Sequence, residues 1–140
     1  MIVVDTGPIV AAAISNDRRH ADCIAIFERL HRSQRELLVP SFVVSESCYI
    51  LARLGSSKIE AAFLRSFRHD AFTLVDLTHD DLDRVAALVE RYSDLPLGAA
   101  DASVVAIAER LHIDEVFTLD VRHFSVVRPV HVPALSLVTP

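Results

Sequence analysis

Short apolar runs alternate along the chain with longer stretches in which apolar residues recur every three or four positions. Four runs have the length and the β-branched content of buried strands, namely residues 1–4, 37–39, 72–77 and 115–119. The helical period predicts helices between them, over residues 8–14, 18–34, 42–54, 57–67, 78–92 and 101–111. This alternation predicts an α/β fold, with a mainly parallel sheet of four to five strands flanked by helices on both faces.

Capping and turn residues set several of the boundaries. Ser41 is predicted to cap the helix that follows it, and Thr78 with Asp81 forms a weak acidic version of the capping box. Residues 93–98 make the clearest loop in the middle of the chain. A fifth, short strand is predicted at Val126-Val127, and the proline-rich tail from Pro129 is expected to pack at an edge.

Length and composition indicate one domain over residues 1–140, since 140 residues of which 51% are hydrophobic can bury a sizeable core. No apolar run reaches the roughly 18 residues needed to span a bilayer, and the chain opens on no signal-like leader. The lack of a spanning run predicts a protein that does not associate with membranes. Cys23 and Cys48 lack any pairing or metal-binding spacing, which predicts two reduced thiols in a cytoplasmic protein.

The charge distribution is uneven. The net charge of −5 argues against a protein that binds nucleic acid through excess positive charge. Residues 1–69 carry nine Lys and Arg against seven Asp and Glu, whereas residues 70–140 carry five against twelve. The arginines within residues 18–35 form a modest basic stretch, which is more typical of a solvated helix face.

Four separated carboxylates attract attention because of where the predicted elements place them. Asp5 and Asp120 follow strands, at the edge where ligand sites of parallel sheets lie. Glu46, between Phe42 and Ile50, and Asp101 are predicted to lie on the apolar stripes of helices. Each acid alone has an ordinary alternative as a turn, cap or surface residue. For Asp101, the sequence favours the functional carboxylate and the first-turn helix cap about equally.

Together the acids predict a metal site. Several carboxylates cannot all ionise within a few ångströms of one another unless a cation compensates them. Mg²⁺, or Mn²⁺ in its place, suits an oxygen-rich site, and such a site suits metal-assisted hydrolysis of a phosphodiester. Phosphatase, receiver-domain, phosphate-loop, zinc and serine-nucleophile patterns are all absent from the sequence.

The order and spacing of these residues resemble a PIN domain. The matching elements are Asp5-Thr6 after the first strand, Glu46 on the helix after the second strand, Asp101-Ala102-Ser103, and Thr118-Leu119-Asp120 with Phe124. More narrowly, the chain resembles the VapC toxins of bacterial type II toxin–antitoxin pairs from end to end.

The resemblance implies a Mg²⁺-dependent endoribonuclease, often directed at structured RNA such as tRNA, that is inhibited by a VapB antitoxin and forms a homodimer. By matched position, Asp5 and Asp101 are the main metal ligands, while Glu46 and Asp120 complete the acidic pocket and position water or a second ion. Thr6 and Thr118 are expected as hydroxyl partners in the same pocket.

Two positions depart from the family pattern. Gly7 stands where many relatives have Ser or Asn, and Val121 stands where close relatives often have Arg. Arg122 and His123 are therefore expected to contact the RNA phosphates. The alternative function is a non-catalytic PIN-like module that binds RNA or protein; the four intact acids argue against it, and divalent-metal binding by the wild type and Asp5→Asn would distinguish the two.

Overall fold

The computed structural model describes residues 1–140 and contains one sheet of five parallel strands. The strands are β1 (Ile2–Val4), β2 (Leu37–Pro40), β3 (Thr73–Val75), β4 (Glu115–Phe117) and β5 (Ser136–Val138). Their spatial order is β3-β2-β1-β4-β5. In the register, Val3 lies opposite both Leu38 and Val116, and Phe117 lies opposite Val138. The predicted α/β class, with a parallel sheet of four to five strands, is confirmed.

Seven helices cover the sheet. They are α1 (Thr6–Ala13), α2 (His20–Arg32), α3 (Ser41–Leu54), α4 (Ser57–Ser66), α5 (His79–Arg91), α6 (Ala99–Arg110) and α7 (Val121–Val126), and a single 3₁₀ turn (Phe67–His69) follows α4. The side chains of successive strand residues point to opposite faces, yet Ile2, Val3 and Val4 are all fully buried. Helices therefore cover both faces of the sheet, which is why the strands are continuously apolar.

The capping box at the start of α5 is confirmed. The Thr78 N–H donates to the Asp81 carboxylate at 2.9 Å, and the Asp81 N–H donates to the Thr78 hydroxyl at 3.1 Å. The predicted cap at Ser41 is wrong, because α3 already includes Ser41 and the residue before the helix is Pro40. A proline at this place fixes the backbone but has no side-chain acceptor to offer the first helical turn.

The predicted strand at Val126-Val127 is also wrong. Val126 is the last residue of α7. Asp120 caps the start of this helix, since its side chain accepts a hydrogen bond from the His123 N–H. The fifth strand lies ten residues later in the proline-rich tail, where Leu137 pairs with Val116 at the edge of the sheet. The tail was expected at an edge, and it supplies the missing strand.

Helix α6 is buried over most of its circumference. Every residue from Ala102 to Glu109 is buried, because α5 and α3 pack against it and it also contacts β1 and β2. Its one buried acid, Glu109, is paired with Arg84 of α5 through two hydrogen bonds of 2.8 Å. A helix enclosed in this way holds the residues of its first turn firmly.

The topology brings the ends of β1 and β4 side by side at the centre of the sheet. The chain continues outward from β1 to β2 and later returns to β4 on the other side, so the strand order reverses between these two neighbours. Such a reversal leaves a crevice at the carboxyl ends of the strands. The Asp5 N–H donates to the Phe117 carbonyl oxygen at 2.9 Å, which fixes the residues after both strands relative to each other.

Both cysteines are free thiols, with Cys23 buried and Cys48 partly buried. None of the seven helices has the length and apolar character required to cross a lipid bilayer.

Candidate active site

A cavity of about 510 Å³ lies at the carboxyl ends of β1 and β4, and all four predicted acids line it. Nine residues form its wall: Asp5, Thr6, Gly7, Glu46, Asp101, Leu119, Asp120, Val121 and Arg122. Six of these nine residues are charged or polar. The predicted juxtaposition of Asp5, Glu46, Asp101 and Asp120 is what the structure shows.

Asp5 is the most buried of the acids, with 4% of its surface exposed. It precedes α1 in an extended conformation but makes no side-chain cap bond, so the ordinary role of a cap does not explain it. One carboxylate oxygen, Oδ2, accepts a hydrogen bond of 2.8 Å from the Thr118 hydroxyl, while Oδ1 is buried without a partner. Burial, followed by the negative charge of Asp101, raises the pKa of Asp5 to about 7.

Asp101 is the third residue of α6, and both interpretations of it have support. Its Oδ2 lies 3.4 Å from the Gly98 N–H, a long contact that can contribute only weakly to capping the helix. The same oxygen lies 3.2 Å from His123 Nδ1. Burial raises the pKa of Asp101, against the lowering effect of the His123 contact. Asp81, the buried cap residue of α5, is paired with Arg110, whereas Asp101 faces the other carboxylates of the cavity, which favours a functional role.

Asp120 is held from two sides at the start of α7. Its Oδ1 accepts the His123 N–H at 2.9 Å, and its own N–H donates to the Thr118 hydroxyl oxygen at 2.9 Å. The hydroxyl of Thr118 thus links the backbone of Asp120 to the carboxylate of Asp5. Phe124, which is 1% exposed, anchors α7 in the core on the far side of this contact.

Glu46 reaches the cavity, but not from a buried stripe. The buried side of α3 consists of Val43, Ser47 and Leu51, whereas Glu46 is exposed, so the predicted inward position is wrong. The helix is therefore rotated relative to the prediction, with α1, α4 and α6 packed against it. The Glu46 carboxylate nevertheless accepts a hydrogen bond of 2.5 Å from the Thr6 hydroxyl. The acid therefore belongs to the rim of the cavity.

His123 is turned toward the acids. Its Nδ1 lies 2.9 Å from Asp120 Oδ2 and 3.2 Å from Asp101 Oδ2, and its Nε2 lies 3.1 Å from the Leu95 carbonyl oxygen. Only 17% of the side chain is exposed. This placement indicates that His123 positions two acids, whereas the sequence predicted that it contacts the substrate. The three-residue spacing of Asp120 and His123 on a helix was the available signal for it.

The remaining predicted residues divide between wall and rim. Arg122 is exposed and lines the cavity beside Asp120, as a phosphate-contacting residue requires. Gly7 and Leu119 line the cavity without having been singled out as wall residues from the sequence. A β-carbon added at Gly7 would lie 3.3 Å from the Leu119 β-carbon, so a larger residue there would require Leu119 to shift by a few tenths of an ångström.

The cavity suits a hard divalent cation by the chemistry of its donors. Four carboxylates face it, and the unpartnered buried Oδ1 of Asp5 has no compensating group within the chain. No three carboxylate, imidazole or thiol groups are arranged closely enough to enclose one ion. Thr6, Thr118 and His123 instead hold the acids through the hydrogen bonds described above.

The sequence matches the family model of the PIN domain over residues 2–128. It is similar to Ribonuclease VapC26 of Mycobacterium tuberculosis, with 32% identity over 129 residues, which make up 92% of this chain and 93% of that protein.

Solved structures show the same fold. The structure is similar to that of VapC20 from Mycobacterium tuberculosis, described as a Sarcin-Ricin loop cleaving toxin, with a TM-score of 0.73, 19% identity and coverage of 83% of this chain and 87% of that one. It is also similar to a chain of VapBC2 from Rickettsia felis, bound there to a DNA fragment from its promoter, with a TM-score of 0.68, 13% identity and coverage of 99% and 100%. A toxin-antitoxin complex from Klebsiella pneumoniae matches with a TM-score of 0.63, 19% identity and coverage of 97% and 100%.

Proposed function

Since the chain belongs to the VapC family of PIN-domain proteins, we propose that it is a Mg²⁺-dependent endoribonuclease toxin of a type II toxin–antitoxin pair. It hydrolyses RNA phosphodiester bonds at the cavity that the four carboxylates line. The observation that carries this proposal is the buried, unpartnered oxygen of Asp5 beside Asp101, in a wall that also contains Glu46 and Asp120. A buried carboxylate of this kind requires a cation when it is ionised.

Asp5 and Asp101 are the residues that hold the cation, because they are the two most buried of the four acids and the charge of one raises the pKa of the other. When bound, Mg²⁺, or Mn²⁺ in its place, supplies positive charge that activates water and offsets the charge developing on the phosphate. The acids must be ionised to bind it, so metal binding and proton loss from Asp5 are coupled.

The surrounding groups orient the acids. Thr118 donates to Asp5 and accepts from the Asp120 N–H, and Thr6 donates to Glu46. His123 lies between Asp101 and Asp120 and holds their carboxylates on the same side of the cavity. Arg122, at the rim, contacts an RNA phosphate. Each of these side chains thus either orients a carboxylate or contacts the RNA.

Nuclease assays with matched variants test the proposal. Purified protein is incubated with a mixed RNA pool in Mg²⁺, Mn²⁺ or EDTA, and metal binding is measured separately by calorimetry. Asp5→Asn and Asp101→Asn should lose both cleavage and metal binding. Asp83→Asn, which changes an exposed acid of α5 outside the cavity, should retain both. Cleavage that persists in EDTA, or in Asp101→Asn, would show that the four-carboxylate site is not the catalytic centre.

A VapB-type antitoxin is the proposed protein partner, since solved relatives of this fold include a VapBC protein and a toxin-antitoxin complex. The chain offers a suitable surface in an apolar cavity of about 440 Å³ between α1, α2 and α4. Its wall includes Ile9, Ile24, Ile59 and Phe63, with Glu28 and His31 among the few polar groups. An amphipathic antitoxin helix can cover this surface while a basic residue of the same chain reaches the acids.

The alternative is a non-catalytic module with the same fold that binds RNA or protein. Four intact acids around one cavity argue against it, and metal binding by the wild type but not by Asp5→Asn would exclude it. The tRNA substrate, the homodimer and the cytoplasmic location stay predictions. Sequencing of cleaved RNA ends and light scattering of the purified protein test the first two.

A further inference from the structure

A second cavity, of about 290 Å³, lies beside the acidic cavity at the end of α5. Its wall consists of Arg91, Tyr92, Asp94, Leu95, Arg122 and Val126. Arg122 also lines the acidic cavity, so one side chain separates the two spaces and faces both. A ligand that extends past Arg122 from the acids enters this second cavity.

The second cavity has two arginines that are free to bind an anion. Five arginines of this chain are paired with carboxylates, namely Arg19, Arg32, Arg35, Arg84 and Arg110. Neither Arg91 nor Arg122 forms such a pair, although Asp94 lies in the same wall and offsets part of their charge. Eight of the thirteen arginines form no ion pair, and Arg91 and Arg122 are distinguished by lining one cavity together.

Arg91 lies beside an aromatic ring, and its guanidinium makes no hydrogen bond within the chain. Its guanidinium lies 5.5 Å from the centroid of the Tyr92 ring, and the Tyr92 hydroxyl accepts a hydrogen bond of 3.0 Å from the Arg128 N–H. A cation–π contact of this kind leaves the N–H groups of the guanidinium available to an anion. The Leu95 carbonyl oxygen, in the same wall, is held by His123.

We propose that this second cavity binds the phosphodiester next to the one that is cleaved, through Arg91 and Arg122. The inference rests on the proposed ribonuclease function and names a binding site for its substrate. RNA places a phosphate at every nucleotide, so a strand with one phosphate among the acids carries its neighbour past Arg122. Arg91 then binds that neighbour by a charge-assisted hydrogen bond, which offsets part of the repulsion between RNA and the acidic cavity.

The test compares two RNAs and three variants. RNA affinity is measured at several salt concentrations in EDTA-free buffer with Ca²⁺ to suppress cleavage, and cleavage is measured in Mg²⁺ on a dinucleotide and on a 12-nucleotide RNA. Arg91→Ala should weaken binding of the longer RNA by about five- to tenfold and reduce the slope of log affinity against log salt by about one. Arg91→Lys should restore most of the salt slope. Arg68→Ala, which removes an exposed arginine before β3 at the opposite edge of the sheet, is the matched control.

The outcomes separate this inference from the proposed function. Arg91→Ala should weaken cleavage of the 12-nucleotide RNA more than cleavage of the dinucleotide, which has no neighbouring phosphodiester, and calorimetric Mg²⁺ binding should be unchanged. If the wild type cleaves RNA while Arg91→Ala and Arg68→Ala behave alike on the longer RNA, the phosphate site is wrong and the ribonuclease assignment stands. If the wild type neither binds nor cleaves any RNA, the assignment fails and this inference fails with it.

Discussion

At the scale of single residues, Asp5 has the most unusual environment in the molecule. It follows a fully buried strand, one of its oxygens has no partner, and Asp101 adds a second negative charge nearby. The pKa of about 7 means that the folded protein keeps a proton on Asp5 at pH values where the unfolded chain has lost it. Function at this residue is therefore maintained at the expense of stability.

This environment predicts how stability depends on pH in EDTA. Because the pKa of Asp5 is raised from 3.8 to about 7 on folding, stability from this group is present below pH 4 and is lost as the pH rises toward 7. The loss amounts to at most about 4 kcal/mol. Asp5→Asn cannot ionise, so urea unfolding should show it to be more stable than the wild type at pH 8 by a larger margin than at pH 5. An equal margin at the two pH values would contradict the raised pKa, and Asp83→Asn should show no such trend.

The Thr118 hydroxyl is predicted to tune the same carboxyl. Its hydrogen bond lowers the pKa of Asp5, so Thr118→Val should raise that pKa further and move the rising limb of the pH–rate profile to higher pH. The change also leaves the Asp120 N–H without its acceptor, at a cost of about 1–2 kcal/mol in stability. Thr118→Ser keeps the hydroxyl and should keep the wild-type profile. A profile that does not move in Thr118→Val would show that the bond has no effect on ionisation.

At the scale of elements, the hydrophobic pattern predicted the four early strands and six of the seven helices because burial follows local periodicity. The pattern gave the wrong structure where a single cap or a helix–helix contact determines it. Residues 121–126 are helical because Asp120 caps them, although two valines at the end suggested a strand. Glu46 lies on the rim because contacts with other helices set the rotation of α3. The gathering of four acids was predictable from strand ends and helix faces, whereas the only signal for the inward turn of His123 was its three-residue spacing from Asp120.

The ion pair between α5 and α6 gives a prediction at this scale. Glu109 is 8% exposed, accepts two hydrogen bonds from Arg84 and also accepts the Val130 N–H at 3.1 Å. These hydrogen bonds raise the pKa of Arg84, so its guanidinium stays charged throughout the ordinary pH range. Arg84→Ala leaves a buried charge unpaired and should cost about 3 kcal/mol in urea unfolding. Arg32→Ala breaks an exposed pair and should cost less than about 0.5 kcal/mol; equal costs would contradict the difference in burial.

At the scale of the whole molecule, the distribution of charge bears on how the two proposed partners, RNA and a protein, would approach. Residues 70–140 carry five basic and twelve acidic side chains, a net charge of −7, and they contribute Asp101 and Asp120 to the cavity. RNA therefore needs a cation and the rim arginines to approach. A protein chain with a basic end meets no such barrier, and the apolar cavity between α1, α2 and α4 offers it a separate place to attach.

This division predicts that antitoxin binding and RNA cleavage can be separated by mutation. Ala62 is an exposed helix residue that lines the apolar cavity, so Ala62→Glu introduces a charge there without disturbing the core. It should weaken binding of the co-expressed neighbouring antitoxin by tenfold or more, roughly the cost of desolvating one unpaired charge, while metal-dependent cleavage is retained. Ala87→Glu, at an exposed alanine of α5, is the control and should bind as the wild type does. Calorimetry of the purified pair measures both, and undiminished binding by Ala62→Glu would show that the antitoxin does not occupy this cavity.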